Sequence, residues 1–216
     1  MSRLRIFEAA STVTPPFALA LVLLLCAAPW ARAQARAQAG DAAGPVKGSN
    51  EFEVWSSAGG AVAINGSAAP VTEWNLGLRY GRVLTDAHGH GPLNGRFEYS
   101  FDVIPAFLIF QRTGTVYGGG FDPFALKWDF RTRRHIAPFL EISGGGLFTT
   151  APVPPRGTAF NFTASTALGA HVMRGRHAVS IDVRWFHISN AHIIAYDPGI
   201  NAVQVRVGFG LFTQPK

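Results

Sequence analysis

The sequence predicts an all-β protein, an eight-stranded antiparallel β-barrel of the outer-membrane type that is preceded by a cleaved signal peptide. Three observations carry this prediction. Eight segments alternate apolar residues with polar or small ones. Charged side chains lie within those segments, where a barrel interior would accept them. The N-terminus combines positive charge with a short apolar run, as secreted chains do.

Residues 1–33 have the composition of a secretory signal peptide. Arg3 and Arg5 precede an apolar run at 17–28, and residues 31–33 (Ala-Arg-Ala) match a small-residue cleavage site. A transmembrane helix is the alternative, but it needs about 20 apolar residues and this run is shorter. We therefore expect residues 1–33 to be removed during export.

Cleavage would also remove Cys26, the one cysteine of the chain. The secreted protein would then have no disulfide, no thiolate metal site and no cysteine nucleophile, and we expect neither a metal nor another cofactor. Residues 34–49 are small, polar and aperiodic, which predicts a disordered leader. The remaining residues, 50–216, have the length of one domain, the barrel itself.

Eight segments show the two-residue period of a strand with one apolar face. They are residues 51–64, 73–84, 96–110, 116–130, 136–149, 159–173, 177–189 and 201–212. In the last of them, for example, Val203, Val205 and Val207 alternate with Gln204 and Arg206. The period therefore assigns one face of each predicted strand to an apolar environment.

A soluble β-sandwich would show the same alternation, but three properties favour a membrane barrel. The segments exceed the usual strand of about 5–6 residues and reach the roughly 9–11 that a spanning strand requires. Their number is even, as in bacterial barrels. The charged residues within them would be costly against lipid and acceptable in a polar interior. These residues are Asp102, Lys127, Asp129, Glu141, Asp182, Arg184 and Arg206.

The connections between the segments alternate in length, as short periplasmic turns and longer external loops do in such barrels. The tight turns are 131–135 and 174–177, and the longer loops are 65–72, 150–158 and 190–200. Two connections depart from this pattern. Residues 85–95 form a rather long periplasmic turn, and 111–115 a short external one.

Polar groups continue the apolar face of the seventh segment. Val183 and Trp185 are predicted to face lipid, and His187 and Ser189 have the same parity. Asn201 has the corresponding parity in the eighth segment, which neighbours the seventh in a hairpin. Polar groups on a lipid-facing stripe cost desolvation free energy unless they are paired, so this placement needs an explanation.

One explanation is catalysis. Residues two apart on a strand have Cβ atoms about 6–7 Å apart on one face, so the His187 imidazole can reach the Ser189 hydroxyl. A base beside a serine, oriented by a third polar group, is an activated nucleophile, and an ester among acyl chains would be its natural substrate. The alternative is that both residues mark the headgroup region at a strand end, where polarity costs nothing.

The same stretch resembles the PagL-type lipid A 3-O-deacylases and the wider group named acyloxyacyl hydrolases. Residues 187–191 (His-Ile-Ser-Asn-Ala) and 197–200 (Asp-Pro-Gly-Ile) are similar to the family's H-x-S-N-A and N-P-G-[IL] elements, at matching separation. Residues 117–123, 144–146 and 160–163 are also similar, so the resemblance covers most of residues 50–212.

The resemblance implies an eight-stranded outer-membrane barrel with an active site on its lipid-facing wall, in agreement with the parity argument. It implies a carboxylic ester hydrolase that removes the acyl chain linked to the 3-position of lipid A. By position, it assigns His187 as the general base and Ser189 as the nucleophile, and Asn190 helps to form the oxyanion hole.

Two positions depart from the family pattern. The glutamate of the family's triad falls on Asn201, which can orient the imidazole through its carbonyl oxygen, as in Cys-His-Asn proteases, but cannot stabilise imidazolium by charge. A glycine that serves the oxyanion hole corresponds to His192, whose backbone N–H would have to take that role. Asp197 is an alternative acid, although the family usually has asparagine there.

The implied partner is lipid A, or the whole lipopolysaccharide, in the outer membrane of a Gram-negative bacterium. Arg112 and Arg156 lie in predicted external loops and are candidate contacts for its phosphates; the alternative is that they are merely solvated. A homodimer remains an open alternative to a monomer. Nothing resembles a phosphate-binding loop or a long basic helix, so nucleic acid is not expected as a partner despite the net charge of +6.

Two other functions remain open beside the esterase. The barrel could be a structural or adhesion protein without chemistry, which the missing triad acid favours. It could also bind a hydrophobic ligand or lipid without cleaving it.

Overall fold

The described part of the chain forms one closed barrel. A computed structural model describes residues 44–62, 71–131, 134–213 and 215. They belong to the compact unit Asp41–Lys216 and form an eight-stranded antiparallel barrel, in which each strand pairs with the next and the last pairs with the first. The predicted signal peptide and residues 34–43 of the predicted leader lie outside the described residues. The predicted fold class is confirmed.

The eight predicted segments are the eight strands. They are β1 (Asn50–Ala61), β2 (Thr72–Val83), β3 (Gly95–Gln111), β4 (Gly114–Phe130), β5 (Ile136–Val153), β6 (Thr158–Arg174), β7 (His177–Ser189) and β8 (Ile200–Phe212), with a 3-10 turn at Gly91–Leu93 between β2 and β3. The main difference is that β5 runs on to Val153, because Val153 pairs with Thr158 after a register shift. The loop expected at 150–158 therefore shortens to a turn. No helix in the described part of the chain is long and apolar enough to span a bilayer.

Closure of the barrel defines two ends. The pairing of β1 with β8 runs from Glu51–Phe212 to Ala61–Ala202 and leaves neither strand with an unpaired edge. The β2–β3, β4–β5 and β6–β7 turns lie at the same end as the start of β1 and the end of β8, which we call the lower end. The ends of β1, β3, β5 and β7, and with them residues 190–199, lie at the upper end.

Side chains alternate between the interior and the outer wall as predicted. In β7, Val183 is 54% exposed, whereas its neighbours Asp182 and Arg184 are 2% and 5% exposed. In β8, Arg206 is buried, and Phe209 is partly exposed on the outer wall. The other charged residues predicted to point inward, Asp102, Lys127, Asp129 and Glu141, are buried as well.

A buried ion network fills the middle of the barrel. Glu141 accepts hydrogen bonds from Arg79 (3.0 Å from Nη2), Arg184 (3.2 Å) and Arg206 (3.4 Å). Asp182 accepts from Nε of Arg206 at 2.8 Å. Asp102 accepts from Nη2 of Arg79 at 2.7 Å. A buried charge without a partner destabilises the folded state, so each of these groups depends on its oppositely charged partners. The network joins five strands.

Other side chains fill the interior above and below this network. Lys127 Nζ lies 2.7 Å from Glu51 Oε2 and 3.0 Å from Glu98 Oε1. An apolar cluster fills the upper end, and its members are Trp55, Val71, Ile104, Phe107, Ile109, Val116, Leu147, Val153, Phe186, Ile188 and Ile200. A smaller one at the lower end contains Ala137, Met173, Ala178 and Phe212. The interior layer is therefore a packed core, polar in the middle and apolar toward both ends.

The last residues of the predicted leader differ from the expectation of disorder. The Gly48 N–H donates to the carbonyl of Val83 at 2.9 Å, and the Val83 N–H donates to the carbonyl of Ser49 at 3.0 Å. Lys47 donates to Asp86 at 2.8 Å, and this hydrogen bond lowers the pKa of the Asp86 carboxyl. Residues 44–49 are thus bound to the lower end, because the backbone N–H and carbonyl of Val83, at the end of β2, form hydrogen bonds with Ser49 and Gly48.

Replacing Glu141 with glutamine should destabilise the barrel by about 3–5 kcal/mol, because three buried guanidinium groups lose the carboxylate that they share. Urea unfolding in detergent micelles, followed by tryptophan fluorescence, measures the effect. Asp86→Asn is the control, since its ion pair with Lys47 is exposed and should leave the midpoint nearly unchanged. Equal midpoints for Glu141→Gln and the wild type would contradict this account of the interior.

Candidate active site

His187 and Asn201 lie directly opposite each other in the β7–β8 pair, on the outer wall near the upper end. Both side chains are partly exposed, and His187 Nδ1 lies 2.8 Å from Asn201 Oδ1. An amide oxygen can only accept a hydrogen bond, so Nδ1 carries the proton. Nε2 then bears the lone pair, and the imidazole is in the tautomer that a general base requires.

Ser189 is the last residue of β7 and shares the outward face of His187. It lies opposite Phe162 of β6, and His187 lies opposite Ala164 of the same strand. Two residues along a strand place the two Cβ atoms about 6–7 Å apart. The structure therefore brings His187, Ser189 and Asn201 together on one patch of the outer wall.

Gly199 lies against the His187 imidazole. A Cβ at Gly199 would lie 3.0 Å from His187 Cε1 and 3.5 Å from the carbonyl oxygen of Ile188. Gly199 also has a φ of +62°, which residues with side chains rarely adopt. The backbone of Gly199 thus forms a surface against which the His187 ring packs, a role that the sequence analysis did not identify. The glycine after Asp197-Pro198 was the signal available for it.

The loop after Ser189 is organised around the Asp197 carboxylate. Oδ1 of Asp197 accepts from the Asn190 N–H at 3.1 Å, and Oδ2 accepts from the His192 N–H at 3.0 Å. Ala191 and His192 adopt positive φ values of 51° and 61°, which turn these N–H groups toward the same carboxylate. Asp197 is therefore bound to the loop backbone, while Nδ1 of His187 pairs with Asn201.

Asn190 and His192, the predicted oxyanion-hole residues, both lie in this loop, but the structure places them differently. The Asn190 side chain is buried, and its Nδ2 donates to the Tyr196 carbonyl at 3.0 Å. The His192 side chain is exposed. Their backbone N–H groups converge on one anionic group, Asp197, which is the arrangement of a backbone anion site.

The two candidate phosphate contacts both lie at the upper end. The Arg156 guanidinium lies 4.9 Å from the centre of the Tyr196 ring, a cation–π contact that joins the β5–β6 turn to the loop containing Asn190. Arg112 is exposed on the separate turn between β3 and β4. Arg156 is thus beside the site loop, whereas Arg112 belongs to another part of the rim.

One group of described residues has the composition of a metal site. Ligand atoms of Glu51, Glu53 and His171 lie within 4.8 Å of one another inside the barrel. Lys127 Nζ is 2.7 Å from Glu51 Oε2 and 3.3 Å from His171 Nε2, so an ammonium group already supplies positive charge there. This group is in the interior, whereas His187 and Ser189 face outward.

A sequence profile of the family described as lipid A 3-O-deacylase (PagL) matches residues 58–210. The match includes His187, Ser189 and Asn201, and it confirms the resemblance seen in the sequence. No curated protein matches the chain.

Two solved structures have a similar fold. The crystal structure of the outer membrane enzyme PagL has a TM-score of 0.56 at 20% identity and covers 72% of this chain and 97% of that one. The crystal structure of the outer membrane protein OprG from Pseudomonas aeruginosa has a TM-score of 0.51 at 10% identity and covers 79% and 98%. At these identities the likeness shows the fold alone. Family and fold together identify an outer-membrane protein of a Gram-negative bacterium.

The geometry predicts that His187 in the folded barrel carries its proton on Nδ1, because Asn201 Oδ1 accepts from it. Nitrogen chemical shifts of histidine-labelled protein measure the tautomer, with His187→Gln assigning the signal. Asn201→Leu should abolish the preference, and the exposed His192 serves as an internal reference. A wild-type His187 with its proton on Nε2 would contradict the arrangement.

Proposed function

Because the chain belongs to the lipid A 3-O-deacylase (PagL) family, we propose that it hydrolyses the ester that links an acyl chain to the 3-position of lipid A. In this proposal Ser189 is the nucleophile, His187 is the general base and Asn201 orients the imidazole. The observation that carries the proposal is the 2.8 Å contact between His187 and Asn201 on the same patch of outer wall as Ser189.

The location of the patch suits a lipid substrate. His187 and Ser189 face outward and are partly exposed, whereas Phe186 and Ile188, which flank His187 in the sequence, are buried in the apolar cluster of the interior. We assign the upper end, with its long 190–199 loop, to the cell exterior, because two of the three lower-end turns, β4–β5 and β6–β7, are short, as periplasmic turns are in such barrels. Lipid A in the outer leaflet would approach from the side, with no need to enter the barrel.

The proposed reaction proceeds in two steps through an acyl-enzyme. Ser189 Oγ attacks the ester carbonyl while His187 Nε2 takes its proton, and the resulting imidazolium then protonates the departing 3-oxygen of the sugar. The acyl chain remains as an ester on Ser189. Water, deprotonated by His187 Nε2, then attacks this ester. The imidazolium returns the proton to Ser189 Oγ as the acyl–oxygen bond breaks, which restores the serine hydroxyl and releases the fatty acid.

Asn201 would supply part of what a carboxylate supplies. In a serine protease, replacing the triad aspartate by asparagine costs about 10⁴ in turnover, largely because the histidine adopts the wrong tautomer. Here the amide oxygen faces Nδ1, which removes that fault. The remaining deficit is the missing negative charge beside the imidazolium, so we expect a slower enzyme than one with a glutamate at this position.

The oxyanion hole is the part of the proposed site whose hydrogen-bond donors are already paired. The N–H groups of Asn190 and His192 are directed at the Asp197 carboxylate. We propose that a developing oxyanion competes with Asp197 for these donors when the substrate binds. One free, preorganised oxyanion-hole donor typically contributes about 10²–10³ in turnover. Here the displacement of the Asp197 carboxylate offsets part of that contribution, because both donors are already hydrogen-bonded to it.

A second candidate is a barrel that binds lipid without cleaving it. The observation that favours it is the neutral Asn201 at the position of the triad acid. The two candidates differ in one measurable outcome, the release of an acyl chain that depends on Ser189.

Ser189→Ala should abolish deacylation while the barrel still folds, because the change removes only a hydroxyl on the outer wall. Mass spectrometry of lipid A from cells that express the protein measures the loss of one hydroxyacyl chain, and heat-modifiable gel mobility reports folding. Ser180→Ala, the same change on the inward face of β7, is the matched control and should retain activity. Wild-type release by folded Ser189→Ala would remove Ser189 from the mechanism.

Replacing Asn201 with glutamate should preserve or raise the rate, since a carboxylate both fixes the tautomer and stabilises imidazolium. Asn201→Leu should lower it by up to about 10⁴, because the ring loses its hydrogen-bond acceptor. Rates of acyl release from purified lipid A, normalised to folded protein, make the comparison. A leucine variant as fast as the wild type would show that Asn201 does not orient the base.

The phosphate role of Arg112 and Arg156 stays a prediction. Arg156 is the stronger candidate, since it contacts Tyr196 next to the proposed site. The double variant Arg112→Ala, Arg156→Ala should weaken lipid A binding, as measured by competition between bisphosphorylated lipid A and a dephosphorylated analogue. Unchanged discrimination between the two lipids would mean that these arginines are merely solvated.

A further inference from the structure

The charged residues of the described chain are sorted by sign between the interior and the rims. Nine acidic residues are buried inside the barrel: Glu51, Glu53, Glu73, Glu98, Asp102, Asp122, Asp129, Glu141 and Asp182. Of the described acidic residues, Asp86 and Asp197 alone lie outside this group. Four cations, Arg79, Lys127, Arg184 and Arg206, are buried with the acids. The remaining described cations are at the rims.

These outer cations are distributed unequally between the two ends. Seven lie at the lower end, and they are Lys47, Arg82, Arg96, Arg131, Arg134, Arg174 and Arg176. Two, Arg112 and Arg156, lie at the upper end. The one exposed acid at the lower end, Asp86, is paired with Lys47. We call the seven residues the basic rim.

The basic rim covers most of the circumference of the lower end. Lys47 precedes β1, and the other members come from β2, β3, the β4–β5 turn, β6 and the β6–β7 turn. Arg82 and Arg174 project from the outer wall at the ends of their strands and are exposed. A distribution around most of the lower end matches a leaflet surface, which surrounds the barrel, whereas a protein partner would contact one side.

Aromatic side chains mark the depth of the basic rim in the membrane. Trp128 packs edge-on against Phe97, with ring centres 4.6 Å apart, and against His88, with ring centres 4.8 Å apart. These residues lie at the lower ends of β4 and β3 and in the β2–β3 turn. Aromatic rings at a membrane–water boundary sit at headgroup level, so the adjacent basic rim lies where lipid phosphates are.

We infer that the basic rim binds the phosphate groups of anionic phospholipids in the periplasmic leaflet. We assign the lower end to that leaflet because two of its three turns, β4–β5 and β6–β7, are short, as periplasmic turns are in these barrels, and the long loop 190–199 lies at the other end. Arginine presents a planar fork of donors that matches a phosphate, and six of the seven members are arginines. This contact would hold the barrel at a set depth and tilt. The inference does not rest on the catalytic proposal.

The experiment compares two sets of variants in the folded full-length barrel. One variant removes three turn charges of the basic rim through the substitutions Arg131→Gln, Arg134→Gln and Arg176→Gln. The other removes the two upper-end charges through Arg112→Gln and Arg156→Gln. Each protein is reconstituted in nanodiscs that contain equal amounts of phosphatidylglycerol and phosphatidylethanolamine. Spin-labelled versions of each lipid then measure the relative enrichment of phosphatidylglycerol next to the protein, at low and high salt.

The wild type should enrich phosphatidylglycerol, and high salt should reduce that enrichment because it screens exposed charges. The triple glutamine variant should lose about half of it or more, since each cation near a surface contributes to the attraction. The upper-end variant should keep most of it. The triple variant Arg131→Lys, Arg134→Lys, Arg176→Lys, which preserves the charge, should also keep most of the enrichment. If the triple glutamine variant does not fold, the single variant Arg176→Gln takes its place in the comparison. Equal losses in the lower-end and upper-end variants, or no loss in either, would overturn the inference.

Discussion

The pairing of charges inside the barrel is the constraint on which the rest of the structure depends. Glu141 with its three arginines and Lys127 with its carboxylates can be accommodated only in the interior, because lipid offers such groups no partner. Side chains alternate on a strand, so a shift of one residue would move every charge to the lipid face. Once Asp182 and Arg184 are fixed inside, His187 and Ser189 must face outward.

The outward position of His187 and Ser189 does not by itself form a site, because the imidazole also needs neighbouring groups that orient it. Asn201 faces the imidazole because β7 and β8 pair in this register, and Gly199 leaves room for the ring. Asp197 holds the loop that follows Ser189 through two backbone N–H groups. Asn201 thus acts through one hydrogen bond and Asp197 through two. The proposed chemistry therefore depends on a few hydrogen bonds at the end of one hairpin, supported by a rigid wall.

The sequence predicted what depends on periodicity and missed what depends on loop conformation. All eight strands, the inward charges and the shared face of His187, Ser189 and Asn201 follow from a two-residue period. The engagement of Asp197 by backbone N–H groups does not, because it requires positive φ values at Ala191 and His192, which are uncommon for residues other than glycine. The ordered residues 44–49 were missed for a related reason: their partners are backbone groups of Val83, which composition does not reveal.

The central claim is that Ser189 is a nucleophile activated by His187, and covalent trapping tests it most directly. A fluorophosphonate with a long alkyl chain, presented in micelles to the folded barrel, reacts with an activated serine and adds its mass to that residue. We predict one adduct per barrel, located on Ser189 by peptide mapping, and strongly slowed labelling in His187→Gln. A folded barrel that stays unlabelled, or one that is labelled at another serine, would contradict the account.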